Sequence, residues 1–214
     1  MPCCCAQRSD YESFFGRRTA ARDARRFRRR GLRGSAHDMA ELAGDVAGAS
    51  VLEVGGGIGA IELELLEAGA ARATNVELSR GYEHEAGALL AERGLADRVD
   101  RRIGDFVTDA EAIEPHDVVV MHRVVCCYPD VDALVGAAAA HTRGRLVLTY
   151  PRERPFVRAG ARIANAILRL SRSTFRVYVH PVDRIGVVAG AHGLGLAARR
   201  RHGLVWESAA YGRA

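Results

Sequence analysis

The sequence contains no lysine, few aromatic residues and no long apolar segment. All 31 basic residues among the 214 are arginine, and the aromatic residues make up only 6%. The longest nearly uninterrupted apolar stretch, residues 133–140, is far shorter than the roughly 20 residues that a membrane-spanning helix requires. The N-terminus also lacks the apolar core of a secretory signal. These absences predict a soluble protein in the cytoplasm.

The remaining composition is that of an ordinary globular domain. Apolar residues account for 48% of the chain and charged residues for 27%, which argues against disorder or a collagen-like repeat. A chain of this length can bury a single stable core. Since no linker or internal repeat interrupts it, we expect one domain.

Cysteine occurs in two blocks, Cys3, Cys4 and Cys5 and then Cys126 and Cys127. A secreted disulfide framework spreads its cysteines along the chain, so this arrangement favours reduced thiols. Thiolates are soft ligands, which leaves open a metalloid site or an oxidisable tail. The second pair is interpreted as core, because only a bent or helical backbone would bring adjacent sulfurs together. The eight histidines show no metal-binding spacing, so no metal site is predicted.

Positive charge is concentrated near the N-terminus. Residues 1–34 contain ten arginines and three acidic residues. Such a surface can bind nucleic-acid phosphates, or it can form a lid in which Tyr11, Phe14 and Phe15 close over a ligand. Because the chain uses arginine everywhere, we prefer a solvated helix whose arginine stems cover the sheet edge. A nucleic-acid partner is therefore not expected.

Strand and helix patterns alternate along the chain. The predicted strands are residues 50–54, 73–78, 99–103, 117–121, 146–150 and 175–180, followed by an antiparallel pair at 196–201 and 204–207. The predicted helices are residues 10–30, 36–47, 60–68, 79–93, 130–142, 156–170 and 182–192. Ser35 is expected to cap the second helix, and Glu62 to face outward on the third. Apolar strands separated by helices indicate an α/β fold with a parallel sheet covered on both faces.

A glycine-rich turn follows the first predicted strand, where residues 53–59 read E-V-G-G-G-I-G. Glycines allow a ligand to lie against the backbone, and the next helix directs its free N–H groups towards it. Ligands bind at the carboxyl ends of parallel strands, so we expect one here. The spacing of Gly55, Gly57 and Ala60 also fits a dinucleotide turn, which leaves an NAD(P)-binding oxidoreductase open.

Three acidic residues favour S-adenosylmethionine (SAM) as the ligand. Glu53 is placed to face a cationic amino group, and Glu77, at the end of the second strand, to accept hydrogen bonds from two ribose hydroxyls. Asp105 is placed to meet the adenine amine while Phe106 covers the base. SAM has no pyrophosphate, so it depends less on the helix dipole and more on such acids.

In this order and spacing, residues 51–59, 75–79, 104–106 and 117–130 resemble the motifs of class I SAM-dependent methyltransferases. The cysteine-rich start and residues 122–130 are similar to a bacterial subgroup of unknown substrate. The resemblance implies a three-layer, Rossmann-like sheet of seven strands, mostly parallel, with an antiparallel last strand.

The same resemblance implies one methyltransferase domain over residues 1–214. Its parts would be an N-terminal helical extension (1–48), a SAM-binding core (49–150) and a C-terminal substrate-side part (151–214). The implied cofactor contacts are Glu53, Gly55, Gly56, Gly57, Gly59, Glu77, Leu78, Asp105, Phe106 and His122.

Residues 122–130 are expected at the rim where the methyl group is transferred. Transfer needs alignment and the exclusion of water, and it needs a base only when the acceptor carries a proton of high pKa. His122 is the candidate catalytic residue, either as that base or through contact with the methionine part of SAM. Tyr128 is the second candidate, either orienting substrate or packing beneath Pro129.

The expected function is therefore transfer of the SAM methyl group to a small-molecule acceptor by in-line displacement. The alternatives are an NAD(P)-binding oxidoreductase and a metalloid- or RNA-binding module that uses the cysteine blocks or the arginine-rich helix. No membrane partner is expected. The motifs determine neither the acceptor atom nor the oligomeric state.

Overall fold

One seven-stranded sheet organises the protein in the computed structural model, which describes residues 8–213. The strands are β1 (Ser50–Val54), β2 (Arg72–Glu77), β3 (Val99–Ile103), β4 (His116–Met121), β5 (Thr142–Pro151), β6 (Leu194–His202) and β7 (Trp206–Arg213). Their order across the sheet is β3-β2-β1-β4-β5-β7-β6. Strands β1 to β5 pair in parallel, whereas β7 is antiparallel to both β5 and β6. The predicted fold class, a mostly parallel sheet with an antiparallel last strand, is confirmed.

Helices cover both faces of the sheet. They are α1 (Arg8–Phe14), α2 (Arg17–Arg30), α3 (Ser35–Ala43), α4 (Ala60–Glu67), α5 (Glu83–Glu92), α6 (Phe106–Asp109), α7 (Val131–Ala140), α8 (Pro155–Leu170) and α9 (Val182–Ala191). None of the helices within residues 8–213 combines the length and the apolar character needed to cross a bilayer. The block Cys3, Cys4 and Cys5 lies outside the described residues, so its predicted tail or metal role is not addressed by the fold.

Three local predictions are wrong. The first predicted helix is two helices, because the chain is extended at Gly16 between α1 and α2. Ser35 is the first residue of α3, and Gly34, with a positive φ, precedes it as the cap. The predicted strand 175–180 is irregular, because its backbone N–H groups bond elsewhere. The N–H of Tyr178 donates to the carbonyl of Cys126 (2.7 Å) and that of Val177 to the side chain of Asn165 (2.8 Å).

The sheet has two apolar faces that are set by the alternation of its strand residues. Val51, Val118 and Val120 pack with helices α2 to α5 on what we call the α4 face. Leu52 and Val119 pack with α6, α7 and α9 on the opposite side, the α7 face. The alternation therefore sets whether a side chain at the end of a strand points to the α4 face or to the α7 face.

Candidate functional site

A cavity of about 480 Å³ lies at the carboxyl edge of the parallel strands. Its floor comes from the ends of β1, β2 and β3, and its walls come from the segments that follow β4 and α8. The lining residues include Val54, Gly55, Val76, Leu78, Asp105, Phe106, Cys127, Tyr128, Phe175 and Tyr178, with Tyr11 of α1. A volume of this size is typical of a pocket for a small molecule or cofactor.

The glycine turn closes one side of the cavity through Gly55. Gly55 and Gly57 have φ values of +63° and +57°, a region that L side chains rarely adopt. A Cβ atom on Gly55 would lie 2.6 Å from a methyl carbon of Val124, so only glycine fits there. Of the predicted glycine contacts, Gly55 lines the cavity, while Gly56, Gly57 and Gly59 shape the turn behind it.

Glu77 braces this turn from the α4 face. Its two carboxylate oxygens accept hydrogen bonds from the backbone N–H groups of Gly57 (2.9 Å) and Ser79 (2.8 Å), and only 3% of the residue is exposed. Burial raises the pKa of Glu77, while these two N–H groups act in the opposite direction. A carboxylate has about four lone-pair positions, so acceptor capacity remains for ribose hydroxyls. Contact with ribose stays a prediction.

Glu53 lies deeper on the α4 face, beneath the turn rather than in the cavity wall. Its carboxylate accepts the N–H of Glu62 at the start of α4 (2.9 Å), and the residue is 2% exposed. Desolvation and the neighbouring Glu62 carboxyl raise the pKa of Glu53 well above its usual range. The predicted contact with a cationic amino group stays a prediction, and the geometry assigns Glu53 a role in holding the turn to α4.

Glu62 is fully buried, so the prediction that it faces outward is wrong. It accepts a hydrogen bond from the side chain of Asn75 (2.8 Å), and burial raises its pKa to about 7. Arg101 on β3 lies 3.6 Å from Glu62 and donates to the carbonyl of Gly57 (3.0 Å) and to Glu83 (2.8 Å). Sequence periodicity misses this network, because a glutamate on a short helix ordinarily faces water.

Asp105 and Tyr128 meet on the cavity side. Asp105 caps α6 by accepting the N–H of Val107 (3.0 Å), and the Tyr128 hydroxyl lies 3.4 Å from each of its carboxylate oxygens. Leu78 and Phe106 also line the cavity. The structure therefore brings together Gly55, Leu78, Asp105, Phe106 and Tyr128 from the predicted set.

His122 is not part of this group. It follows Met121 on β4, and alternation turns it towards α3, where its Nε2 lies 2.9 Å from the Ser35 hydroxyl. Desolvation and the charge of Arg123 lower the pKa of His122 to about 3, which keeps the ring neutral. Its predicted catalytic and cofactor roles are untested, and it is absent from the cavity lining.

The sulfurs of Cys126 and Cys127 lie 3.5 Å apart and form no disulfide. The short helical turn Val125–Cys127 brings them together, and both thiols donate to the carbonyl of Arg123, a residue with φ of +59°. Cys126 is buried, as the core interpretation requires, whereas Cys127 lines the cavity.

Aromatic side chains cluster where Tyr11 and Phe175 line the cavity. Phe175 lies 5.1 Å from Phe14 and 5.7 Å from Phe15 between ring centroids, and the tilted rings of Tyr11 and Phe15 are 4.5 Å apart. The Ser79 hydroxyl donates to the carbonyl of Phe15 (2.6 Å), which ties the start of the chain to the end of β2. The lid considered for Tyr11, Phe14 and Phe15 stays a prediction, since only Tyr11 of the three lines the cavity. Their neighbour Phe175 was missed because residues 175–180 read as a strand.

Comparison with known proteins identifies the class. A family model described as a methyltransferase domain matches residues 24–185, so this chain belongs to the methyltransferase domain family. This agrees with the resemblance drawn from the motifs.

The chain is similar to one curated protein and to two solved structures. It is 34% identical over 158 residues to aclacinomycin 10-hydroxylase RdmB of Streptomyces purpurascens; the match covers 72% of this chain and 41% of that protein. The chain thus spans less than half of that curated relative. Magnesium protoporphyrin IX methyltransferase of Synechocystis PCC 6803, crystallised with bound SAH, superposes with a TM-score of 0.68 at 19% identity, covering 84% and 82% of the two chains.

Geranyl diphosphate C-methyltransferase of Streptomyces coelicolor A3(2) superposes equally well. Its TM-score is 0.68 at 13% identity, covering 84% of this chain and 77% of that one. At such identities the two solved structures share the fold with this chain.

Proposed function

We propose that this protein is a SAM-dependent methyltransferase that acts on a small molecule. The observation that carries the proposal is the cavity at the carboxyl edge of β1 to β4, bordered by a glycine that no larger residue can replace. Membership in the methyltransferase domain family supports it. The structural neighbours crystallised with SAH add to that support.

The cavity residues fit the chemistry of SAM. Gly55 lets the ligand approach the backbone, and Asp105 offers a carboxylate for an adenine amine beside the ring of Phe106. Glu77, one residue from the lining Val76 and Leu78, offers its remaining lone pairs to ribose hydroxyls. When bound, SAM would supply an electrophilic methyl group on a sulfonium.

The chain itself would supply alignment and a dry cavity. Tyr11 and Phe175 line the cavity and contact Phe14 and Phe15. Exclusion of water by such side chains would favour a displacement of this kind. Tyr128 is the better candidate of the two, because it lines the cavity and its hydroxyl lies 3.4 Å from both carboxylate oxygens of Asp105. His122 points towards Ser35, so it would affect the reaction only by fixing the conformation of the chain at the end of β4.

The acceptor we propose is a largely apolar small molecule. Apolar and aromatic side chains dominate the lining, with Arg176 and the carboxylates of Asp105 and Asp109 as its charged groups. The neighbours are named for a porphyrin and for geranyl diphosphate, both of which carry large apolar parts. We also propose a cytoplasmic location, which the free thiols of Cys126 and Cys127 support.

Isothermal titration with SAM, SAH and NADH tests the proposal. We expect SAM and SAH to bind and NADH not to bind. Glu77→Ala should weaken SAM binding by about ten- to a hundredfold, the cost of losing a hydrogen-bonded carboxylate. That variant also loosens the turn, so a second variant is needed. Thr108→Trp, at the exposed rim of the cavity, should weaken SAM binding by filling the cavity entrance. Asp97→Trp, on an exposed turn away from the cavity lining, is its control.

Binding of NADH in preference to SAM, or SAM binding that Thr108→Trp leaves unchanged, would overturn the proposal. One relative is named a hydroxylase, so the reaction itself needs a separate measurement. Incubation of candidate acceptors with SAM labelled in its methyl group identifies the product. A labelled product supports methyl transfer, whereas an unlabelled product that has gained an oxygen atom would assign hydroxylation.

A further inference from the structure

Helix α8 projects an uncovered apolar surface. Of its residues Pro155–Leu170, only Val157 is buried. Four large apolar side chains on it are exposed: Phe156 at 53%, Ile163 at 62%, Ile167 at 58% and Leu170 at 85%. Their spacing of seven, four and three residues places them along one stripe of the helix. We call these four residues the α8 stripe.

Three exposed arginines form a second, separate stripe on α8. At 100° per residue, the exposed residues Arg158, Arg162 and Arg169 fall within one narrow sector, about 130° around the helix from the centre of the stripe. Residues 154–182 contain six arginines and neither aspartate nor glutamate. Arg158 pairs with Glu153, but no carboxylate among the described residues lies within ion-pair distance of Arg162 or Arg169. The exposed side of α8 is therefore both apolar and cationic.

The inner side of α8 holds the cavity wall in place. The Asn165 side chain exchanges two hydrogen bonds with the backbone of Val177, both 2.8 Å long. The adjoining residues Phe175, Arg176 and Tyr178 line the cavity. Whatever the exposed side of α8 rests on would lie next to that wall.

We propose that α8 docks this protein onto the surface of an anionic lipid bilayer. A helix with an apolar stripe and a separate stripe of arginines lies in the plane of the bilayer interface, with its apolar side among the acyl chains and its arginines at the headgroups. A second copy of the chain fits this surface less well, because two such helices would bring like charges together. The sequence suggested no membrane partner because it does not show that the stripe stays uncovered.

This inference rests on the surface of α8 and holds whether or not the proposed methyl transfer is correct. If both hold, the docked helix would place the cavity wall beside the bilayer. An apolar acceptor dissolved in the lipid would then have a short path to the cavity.

Co-sedimentation with vesicles tests the docking. The full chain should sediment with equimolar phosphatidylglycerol and phosphatidylcholine, and far less with phosphatidylcholine alone. The double variant Ile163→Ser/Ile167→Ser should weaken binding at least about tenfold. Arg162→Gln and Arg169→Gln should each weaken it roughly fivefold, an effect that added salt reduces in the wild type. Val187→Ser, which alters an equally exposed apolar residue on α9, should have no effect.

Three results would overturn the proposal. The first is equal binding to both vesicle types, and the second is binding that the double isoleucine variant leaves unchanged. The third is found by sedimentation equilibrium without lipid: a dimer that the same double variant dissociates would assign the α8 stripe to a second copy. Because the substituted side chains are exposed, circular dichroism should show all variants folded, and SAM titration should show unchanged cofactor affinity.

Discussion

The two sides of the glycine turn differ sharply in chemistry. On the α4 face, Glu53 and Glu62 are buried and Arg101 is half-buried, and the three are bonded to the backbone of the turn or to each other. On the α7 face, the same turn borders a cavity lined largely by apolar and aromatic side chains. Charged side chains near a ligand site can therefore fix the backbone of the turn rather than bind the ligand. Space for a ligand then lies on the opposite side.

The largest expected effect is a loss of stability when the charged network on the α4 face is broken. At pH 8, above the pKa of about 7 of Glu62, Arg101→Met should lower the free energy of unfolding by about 3–5 kcal/mol, because it leaves the buried Glu62 carboxylate without its cation. Urea unfolding measures this loss. Arg102→Met is the matched control, since Arg102 is the next residue, points to the other side and pairs with Asp100 in solvent. Equal losses in the two variants would contradict a special role for the buried network.

A pH series examines the same network. Glu62 keeps its proton in the folded chain up to a pKa of about 7, against an ordinary value of 4.5. The unfolded chain therefore releases this proton first, so the stability that Glu62 contributes is present below pH 4.5 and is lost as the pH rises through 7. From about pH 5 to about pH 8 the loss should reach roughly 2–3 kcal/mol.

Glu62→Gln should remove this component and flatten the pH dependence of urea unfolding. Glu64→Gln, two residues along α4 and partly exposed, should leave the slope as in the wild type. A wild-type slope in Glu62→Gln would show that the carboxyl is already ionised in the folded protein.

On the cavity side, smaller effects are expected, and on ligand binding rather than on stability. Tyr128→Phe removes a hydroxyl that lies 3.4 Å from both oxygens of Asp105. Loss of one such interaction costs about 0.5–1.5 kcal/mol, so SAM affinity by titration should fall about two- to tenfold. A stronger effect on unfolding than on binding would assign Tyr128 to packing instead.

The smallest effect is expected at His122. His122→Gln should change SAM affinity by less than about twofold, because the ring faces Ser35 and stays outside the cavity lining. Gln retains a polar group for the Ser35 hydroxyl. A drop in turnover of about 10²-fold or more, once an acceptor is known, would restore His122 as a general base and contradict the comparison of the two sides.

The sequence predicted the sheet well because its signals are local. Apolar strands such as Ser50–Val54, glycines at positive φ and acids at strand ends together indicated the α/β class and the position of the turn. The same alternation also predicts where the side chain of His122 points. Met121 belongs to the α7 face, so the next residue must point to the α4 face.

Other features arise only from contacts distant in sequence. Glu62 is buried because Asn75 and Arg101, from two other strands, supply its partners. The segment 175–180 is irregular because Asn165 and Cys126 take its hydrogen bonds. Neither pairing has a periodic signal in the sequence, since each depends on elements that meet only when the sheet has formed.

Local patterns along the chain were enough to predict the fold class, the place of the ligand turn and the family resemblance, because glycines and apolar periodicity act through local backbone geometry. The packing of the folded chain sets which of the predicted residues share one cavity. The same packing buries the carboxyl groups around the glycine turn and leaves the apolar stripe of α8 exposed. Burial is a property of packing between distant segments, and for that reason no single stretch of sequence expresses it.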